Sequence, residues 1–455
     1  MHELLESAAA RASAYLDGIQ ERAVAPAAAA VTRLQRLDEP LPDGPCEPEE
    51  VLALLDELGS PATMGMAGPR FFGFVIGGTL PTALAANWLA TAWDQNAAFD
   101  SASPATALVE SVALEWMREL LGLPEGCGGA FVTGATMANF SALAAARHAV
   151  LAGQDWDVEA DGLFGAPPIT VVIGEEAHPT LIKALGLVGF GRRRLVRVPV
   201  DGQGRMRAEA LPALSSATIV CAQAGNLNTG AFDPLEAIAA RAHEAGAWLH
   251  VDGAFGLWAA ASRARAHLAA GVGLADSWAT DGHKWLNVPY DSGIAFVRDP
   301  EALRAAMAVT ADYLPPAGDV RNPSDYTPEL SRRARGVDVW AALRSLGRSG
   351  LDELVDRCCR HASRFAEGLD VAGYEILNTV ELNQVLVSFG EPEATARVIA
   401  ALQAEGTCWC GTTVWQGRTA MRISVSSWAT TEDDVERSLA AMLRVAAEVA
   451  PSASR

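Results

Sequence analysis

The chain has 455 residues, half of them hydrophobic, and this length indicates a large domain with one or two smaller ones. Its 35 basic and 55 acidic residues give a formal net charge of −20, which argues against nucleic acid or an anionic membrane as a partner. The seven scattered cysteines form no disulfide framework and lack zinc-site spacing, so we expect a cytoplasmic protein without a metal.

The first part of the chain is predicted to be a helical arm. Apolar residues recur at helical spacing from Glu3 to about Val24, and the segment 48–58 predicts a second, shorter helix. Prolines between Pro26 and Pro45 predict an extended linker between the two helices. Charged residues interrupt the alanine-rich runs before they reach the length of a bilayer span, so no membrane segment is expected.

From about Phe99 onward, helices alternate with short apolar strands, which predicts a mostly parallel sheet covered on both faces. Such sheets bind ligands at the carboxyl ends of their strands. After about Leu346 the pattern indicates a small C-terminal α/β domain. The clearest helices are 104–121 and 138–150, with another from 431 onward; the predicted strands are 169–173, 195–200, 218–221, 248–251, 277–280 and 293–297, and 385–389 and 421–425 in the smaller domain.

Two residues with complementary chemistry follow predicted strands: Asp252 after strand 248–251, and Lys284 shortly after strand 277–280. A lysine in a partly desolvated cleft can act as an amine nucleophile toward an aldehyde. A buried carboxylate can keep a pyridine nitrogen protonated, which pyridoxal phosphate requires to act as an electron sink. Either residue alone would be read as a loop lysine or a helix cap. Together they predict a Schiff-base lysine and its pyridinium partner.

A turn of small residues within 131–139 opens a helix, and backbone N–H groups at a helix start can bind a phosphate ester. The turn lacks the Gly-Lys-Ser/Thr ending of a nucleotide-binding P-loop, so ATP is not implied. A turn of this kind is common, and it gains meaning here only beside Asp252 and Lys284.

The segments 250–254 and 281–285 resemble those of the group II pyridoxal-phosphate decarboxylases, which include the aromatic amino acid and glutamate decarboxylases. The resemblance runs from about Gly68 to about Leu346. It implies an α/β protein of fold type I, with a mostly parallel seven-stranded central sheet, a small C-terminal α/β domain and an N-terminal helical arm that packs on the partner of a homodimer. The predicted bounds are 1–74 for the arm, 75–346 for the large cofactor-binding domain and 347–455 for the C-terminal domain.

The same resemblance implies roles for the cofactor site. His178 is expected to stack on the cofactor ring with Ala254 on its other face, and Asn226 to bind the ring hydroxyl or the substrate carboxylate. At the third position before the lysine the family often carries an asparagine that contacts the phosphate, whereas this chain has Asp281, whose carboxylate would repel it. The predicted cofactor-binding residues are Gly134, Ala135, Thr136, His178, Asn226, Asp252, Ala254, Asp281, His283 and Lys284.

The implied activity is that of a carboxy-lyase, which converts an L-amino acid to its amine and carbon dioxide. In the family a loop tyrosine that reaches the neighbouring subunit's site protonates the carbon that has lost carbon dioxide. Segment 322–335 resembles that loop and the basic run after it, which makes Tyr326 the predicted donor. His178 and His283 are rival donors, so the predicted catalytic residues are Lys284, Tyr326, His178 and His283.

Segments 68–74 and 93–99 resemble the two that line the substrate pocket in the family, the second contributed by the partner subunit. Phe71 and Phe72 are consistent with an aromatic substrate, while Asn96 and Ala98 predict a larger or more polar pocket than in the aromatic decarboxylases. Arg422 occupies a position where many fold type I enzymes bind a carboxylate, and we assign it a structural role.

Other activities are compatible with the same fold and cofactor. The chain could be an aminotransferase, a lyase or an enzyme that couples decarboxylation to aldehyde formation, and a tyrosine at position 326 favours simple decarboxylation over the last of these. A third class, an inactive relative that only binds the cofactor or a partner protein, is disfavoured because four expected site residues are all present: Asp252, Lys284, His178 and Tyr326.

Overall fold

The computed structural model describes residues 1–309 and 321–449. The chain divides into two compact units, a smaller one of Met1–Gly78, His361–Leu377 and Val385–Arg455 and a larger one of Thr79–Arg360 and Asn378–Gln384. The helices in chain order are α1 (His2–Gly18), α2 (Ala28–Arg33), α3 (Pro48–Gly59), α4 (Pro81–Trp93), α5 (Pro104–Leu120), α6 (Ala135–Ala152), α7 (Val158–Asp161), α8 (Pro179–Leu187), α9 (Leu235–Glu244), α10 (Pro300–Met307), α11 (Arg335–Val371), α12 (Pro392–Glu405) and α13 (Glu432–Val449).

The larger unit is built on a seven-stranded sheet. Its strands are β1 (Gly128–Val132), β2 (Thr170–Gly174), β3 (Val196–Val198), β4 (Thr218–Gln223), β5 (Trp248–Asp252), β6 (Ser277–Asp281) and β7 (Gly293–Val297). Their order is β1-β7-β6-β5-β4-β2-β3, and only β7 runs antiparallel to its neighbours. The mostly parallel, seven-stranded sheet is confirmed; β1, which immediately precedes the small-residue turn, is the strand that the sequence pattern did not single out.

Burial on both faces explains why these strands are short and apolar. Every residue of β6 and β7 is buried, as expected for the interior of a sheet with helices on both sides. Helix α6 covers the sheet through its many alanines, whose small side chains allow close approach, and it packs with α8 on Ile173 and Ile219. The helix start at Ala135 is thereby held beside the strand ends.

The smaller unit contains a second sheet and the N-terminal helices α1, α2 and α3. Its strands are β8 (Glu375–Ile376), β9 (Gln384–Ser388), β10 (Gly411–Trp415) and β11 (Arg418–Ser424), in the order β10-β11-β9-β8. The predicted extended linker is partly wrong, because α2 and a 3₁₀ turn at Leu34–Leu37 lie within it. Helix α2 begins with a run of alanines, the residue type with the highest helix propensity. This run lies between the proline at 26 and the prolines from 40 onward, so no proline interrupts it.

A buried ionic cluster anchors α5 to the segment that precedes α11. Glu110 on α5 pairs with Arg332 at 2.7 Å and with Arg321 at 3.3 Å, and the Glu110 and Arg332 side chains are almost fully buried. Arg332 also donates to the Phe131 and Ala97 carbonyls, so it ties the start of the small-residue turn 131–139 to residues 96–98.

All seven cysteines lie in the described ranges and are free thiols. No helix in those ranges combines the length and the apolar content that a bilayer span requires.

Glu110→Ala should destabilise the protein by about 3–5 kcal/mol, because it leaves the Arg332 guanidinium buried without its carboxylate. The measurement is urea unfolding at one fixed protein concentration. Glu301→Ala is the matched control: Glu301 forms an exposed pair with Arg304, so its loss should change stability by less than about 1 kcal/mol. Equal effects of the two substitutions would contradict the assignment of Glu110 as the anchor.

Candidate active site

The site forms where β5 and β6 end side by side. Asp252, the last residue of β5, pairs in register with Ala279 of β6, so the turn that follows β6 begins next to the Asp252 carboxylate. Lys284 lies in that turn, and the backbone N–H of Asp281 donates to the Ala254 carbonyl at 3.0 Å. The parallel pairing therefore brings the predicted carboxylate and the predicted lysine to one edge of the sheet.

Asp252 is 3% exposed, and its carboxylate accepts the Ala254 N–H at 3.3 Å. Burial raises the pKa of this carboxyl, while the positive charges of His178 and Lys284 and the Asn139 amide act to lower it. The surroundings thus combine a low-dielectric position with groups that favour the ionised form. This is the environment that a partner for a protonated ring nitrogen needs.

A chain of buried hydrogen bonds runs from Trp248 to Asn139. The Trp248 indole N–H can only donate, and it donates to Ser277 Oγ at 2.9 Å, which leaves the Ser277 hydroxyl to donate to His250 Nδ1 at 2.9 Å. His250 Nε2 then donates to Asn139 Oδ1 at 2.8 Å. The chain turns the Asn139 amide nitrogen toward Asp252. Full burial lowers the pKa of His250 to about 3, so its ring stays neutral.

Lys284 is bound to Asp281 rather than to Asp252. Its Nζ lies 3.0 Å from Asp281 Oδ2, and the other carboxylate oxygen of Asp281 accepts the Ala135 N–H at 2.6 Å. Lys284 is one of only two lysines in the chain; the other, Lys183, is exposed on α8. Asp281 therefore bridges the predicted attachment lysine and the start of α6.

Gly134, Ala135 and Thr136, which the family resemblance predicts as the phosphate cup, lie where two backbones cross closely. A Cβ on Gly293 of β7 would lie 2.3 Å from the Gly134 backbone, so only glycine at 293 lets the turn approach β7. Gly134 itself lies next to His283 and Asp281, and α6 begins at Ala135 with Thr136 in its first turn. The cup residues and the end of β6 are thus in direct contact.

His178 and Asn226 are both held by turns of their own. His178 caps α8 through Nδ1, which accepts the Thr180 N–H at 3.2 Å, while its charge is felt at Asp252. Asn226 is buried, with Oδ1 accepting the N–H groups of Asn228 and Thr229 and Nδ2 donating to Glu176 at 3.1 Å. The Asn226 amide holds its own turn, and the predicted ring stacking of His178 and the predicted ligand contact of Asn226 both stay predictions.

His283 is fixed between Asp281 and Tyr290. Its Nδ1 accepts the Ser292 N–H at 3.2 Å, its Nε2 lies 3.7 Å from Asp281 Oδ2, and its ring stacks on Tyr290 at a centroid distance of 4.3 Å. Burial lowers the pKa of His283, and the Asp281 carboxylate opposes that shift. Partial burial and the nearby Asp281 charge raise the pKa of Tyr290 to about 12, so its phenol keeps its proton at neutral pH.

A family model, the pyridoxal-dependent decarboxylase conserved domain, matches residues 34–390, which include every site residue described above. The chain belongs to this family. The cofactor of the family is pyridoxal phosphate, and the residues present fit its ring: the buried Asp252 would face the ring nitrogen, and Lys284, in the turn after β6, would attach the cofactor. Where its phosphate would bind, the Ala135 N–H is already engaged by Asp281.

Relatives in the family carry different substrate names. The chain is 26% identical over 422 residues to an aromatic-L-amino-acid decarboxylase of Bacillus atrophaeus, an alignment that covers 88% of this chain and 85% of the relative. It is 31% identical over 423 residues to an L-2,4-diaminobutyrate decarboxylase of Rhizobium meliloti (strain 1021), covering 88% and 83%. The crystal structure of Oryza sativa TDC with PLP and tryptamine has the same fold, with a TM-score of 0.91 at 24% identity over 99% of this chain and 98% of the other.

Tyr326, the donor predicted from the family resemblance, lies in a different part of the larger unit. Its ring lies under the Arg321 guanidinium at 4.5 Å and packs on the cluster that contains Leu303. The predicted substrate residues lie beside its segment: Ala98 accepts the Ser324 N–H at 3.0 Å, and Asn96 accepts the Arg332 N–H at 3.0 Å. The structure thus brings these residues to one another, and their predicted roles toward the cofactor and the substrate stay predictions.

Phe71, Phe72 and Arg422 lie in the smaller unit and are buried there. Phe71 stacks on Trp409 at 5.0 Å and Phe72 meets the edge of Phe365 at 5.1 Å, so both rings belong to the core of that unit. Burial within β11 lowers the pKa of Arg422 to about 10. The pocket roles of the two phenylalanines and the structural role of Arg422 stay predictions.

Two features of the site were missed from the sequence. Tyr290 lies six residues after Lys284, and its place in the same turn was the only signal available. Asn139 lies one turn into α6, where helical spacing from Ala135 directs it to the same side as the cup. Its link to His250 could be found only from the pairing of β5 with the sheet.

Lys284→Ala should abolish covalent attachment of the cofactor, because the chain has no other lysine in the site. The measurement is borohydride reduction of the loaded protein followed by peptide mass spectrometry, together with the visible absorbance band. Lys183→Ala is the matched control and should keep both signals. Label on Lys183, or an unchanged band in Lys284→Ala, would show that attachment occurs elsewhere.

The neutral, buried His250 should make the protein sensitive to acid. Its pKa falls from 6.5 in the unfolded chain to about 3 in the fold, so only the unfolded chain takes up this proton as pH falls below 6.5, and stability falls with it. Unfolding free energies measured from pH 6 to 4.5 should decline by about 1.4 kcal/mol per pH unit more in the wild type than in His250→Gln.

Burial raises the pKa of Asp233 to about 6, so protonation of Asp233 makes the fold more stable as the pH falls. Asp233 is present in both the wild type and His250→Gln, so its contribution cancels when their slopes are compared. His267→Gln, at an exposed position, serves as the control and should keep the wild-type slope. Parallel slopes for the wild type and His250→Gln would contradict the assignment.

Proposed function

We propose that this chain decarboxylates an L-amino acid to its amine and carbon dioxide, with pyridoxal phosphate bound at Lys284. The observation that supports it is the pair formed by the buried Asp252 and the adjacent Lys284 at neighbouring strand ends. When bound, the cofactor supplies an electron sink for the bond that breaks. Asp252 holds the proton on the ring nitrogen, and Lys284 provides the amine that attaches the cofactor.

An aromatic L-amino acid is the substrate class that we favour. The stacked pair of His283 and Tyr290 offers an aromatic surface beside Lys284, and the Tyr290 ring is half exposed. Such a surface suits offset stacking with an aromatic side chain. A diamino acid is the second candidate, supported by the name of the Rhizobium relative and by the carboxylate of Asp281 in the site.

The protein acts as a homodimer in this proposal. Helix α4 exposes three large apolar side chains, Trp88, Leu89 and Trp93, at 45%, 56% and 47% of their surface. Leu108 on α5 of the same unit is 66% exposed. A second copy of the chain would cover this apolar surface, and in the dimer residues 96–98 and Tyr326 would serve the partner's site, as the family resemblance implies.

Two tyrosines are candidates for the proton donor. One would donate across the dimer and the other within its own chain. Tyr326 acts from the partner subunit, as the family resemblance implies, whereas Tyr290 lies in the same chain beside His283. Each phenol holds a proton at neutral pH, since burial raises the pKa of both. We assign the role to Tyr326 and treat Tyr290 as the alternative within the chain.

The first test is to screen L-amino acids for carbon dioxide release by the loaded protein, with amine, aldehyde and ammonia measured alongside. Amine equal to carbon dioxide with an aromatic substrate is the expected result. Carbon dioxide accompanied by aldehyde and ammonia would replace the proposal with oxidative chemistry. No carbon dioxide from any substrate would remove it in favour of an aminotransferase or another lyase.

Tyr326→Phe should lower amine formation by about 10²–10⁴-fold, the usual contribution of a positioned acid, and leave cofactor absorbance unchanged. Tyr290→Phe is the matched variant and should keep more than about a tenth of the activity. The reverse pattern would move the donor to Tyr290. Mixing Lys284→Ala with Tyr326→Phe subunits tests whether each active site uses residues from both chains. If it does, a mixed dimer has one site with an intact Lys284 from one chain and an intact Tyr326 from the other, and activity is recovered.

A further inference from the structure

Asp281 is an anion built into the place where the cofactor's phosphate is expected. One carboxylate oxygen accepts the Ala135 N–H at 2.6 Å, at the first residue of α6, and the other lies 3.0 Å from Lys284 Nζ. The side chain is 3% exposed. A single carboxylate therefore engages both the helix start and the attachment amine.

The backbone of Asp281 prevents the carboxylate from moving away easily. Its N–H donates to the Ala254 carbonyl at 3.0 Å, and its carbonyl accepts the Trp258 indole N–H at 2.9 Å. Gly134 on one side and His283 on the other close the space around the side chain, since a Cβ on Gly134 would lie 3.6 Å from Asp281 Oδ1.

A phosphate ester has close to two negative charges at neutral pH and binds helix starts because their N–H groups are unpaired. At α6 one of those donors is already satisfied by an anion. A phosphate placed there must displace the Asp281 carboxylate or accept its repulsion, and either lowers affinity.

We propose that Asp281 competes with the cofactor's phosphate for the start of α6, so that the protein holds pyridoxal phosphate weakly and exchanges it with the surrounding pool. The competition is specific to the phosphate and would be absent for pyridoxal, which has the same ring and aldehyde without the phosphate. This inference depends on cofactor binding alone, and it holds or fails independently of the substrate and the reaction.

The test is to titrate cofactor-free wild type and Asp281→Asn with pyridoxal phosphate and with pyridoxal, following visible absorbance. Asparagine has the same shape and no charge, and its amide can donate to a phosphate. The expected result is that Asp281→Asn binds pyridoxal phosphate at least about tenfold more tightly, with pyridoxal affinity changed by less than about threefold. Weaker pyridoxal phosphate binding, or equal gains for both ligands, would overturn the competition.

A second pair of variants removes the contribution of Lys284. Lys284→Ala and Lys284→Ala/Asp281→Asn bind the cofactor without attachment, and calorimetry should still show tighter pyridoxal phosphate binding in the double variant. If the gain vanishes, Asp281 acts through the lysine and the proposal fails. Glu353→Gln, which removes one exposed negative charge on α11, is the charge control and should stay within about twofold of the wild type.

The wild type alone provides an independent measurement should Asp281→Asn fail to fold. If Asp281 offsets the affinity that the phosphate group would otherwise add, wild-type affinity for pyridoxal phosphate should exceed that for pyridoxal by less than about a hundredfold. An excess of about a thousandfold or more would show that the phosphate is held strongly despite the carboxylate, and would overturn the inference.

Discussion

The parallel pairing of β5 with β6 is the constraint on which the site depends. It places Asp252 opposite Ala279, so the turn carrying Lys284 starts beside the carboxylate. A register shift of one residue would turn Asp252 to the other face of the sheet and separate the two groups. The sheet interior, buried on both faces, enforces this register and also supplies the low dielectric that gives the charges their effect.

The charges at this edge oppose one another. Asp252 and Asp281 are both almost fully buried, and Lys284 and His178 are the positive charges acting on Asp252. Lys284 pairs directly with Asp281, so the two carboxylates do not have equal access to it. Asp252 is supported instead by Asn139, which the chain through His250 and Ser277 holds in one orientation. In the proposed site, Asp252 would face the cofactor ring, while Asp281 would lie where its phosphate is expected.

The segments near Tyr326 gather around Glu110 and Arg332, and Arg332 links them to Phe131 at the start of the small-residue turn. Their mutual contacts make them one structural piece, and the exposed apolar face of α4 lies in the same unit. In the proposed dimer, the partner chain would cover this exposed apolar face. This arrangement would make catalysis depend on assembly.

The sequence by itself determined the fold class, the strands that end at the site, and the residues Asp252 and Lys284, because apolar strands and a lysine after one of them follow local patterns. It did not reveal β1, helix α2 or the use of Asn226 to hold its own turn, where local signals are weak or shared by many structures. Only the tertiary structure decided that Asp281 binds Ala135 and Lys284, and that Tyr290 stacks on His283. The Ala135 contact joins residues far apart in the chain, and the Tyr290 contact depends on how the turn after β6 folds back. Such neighbours are set by strand pairing and packing rather than by sequence spacing.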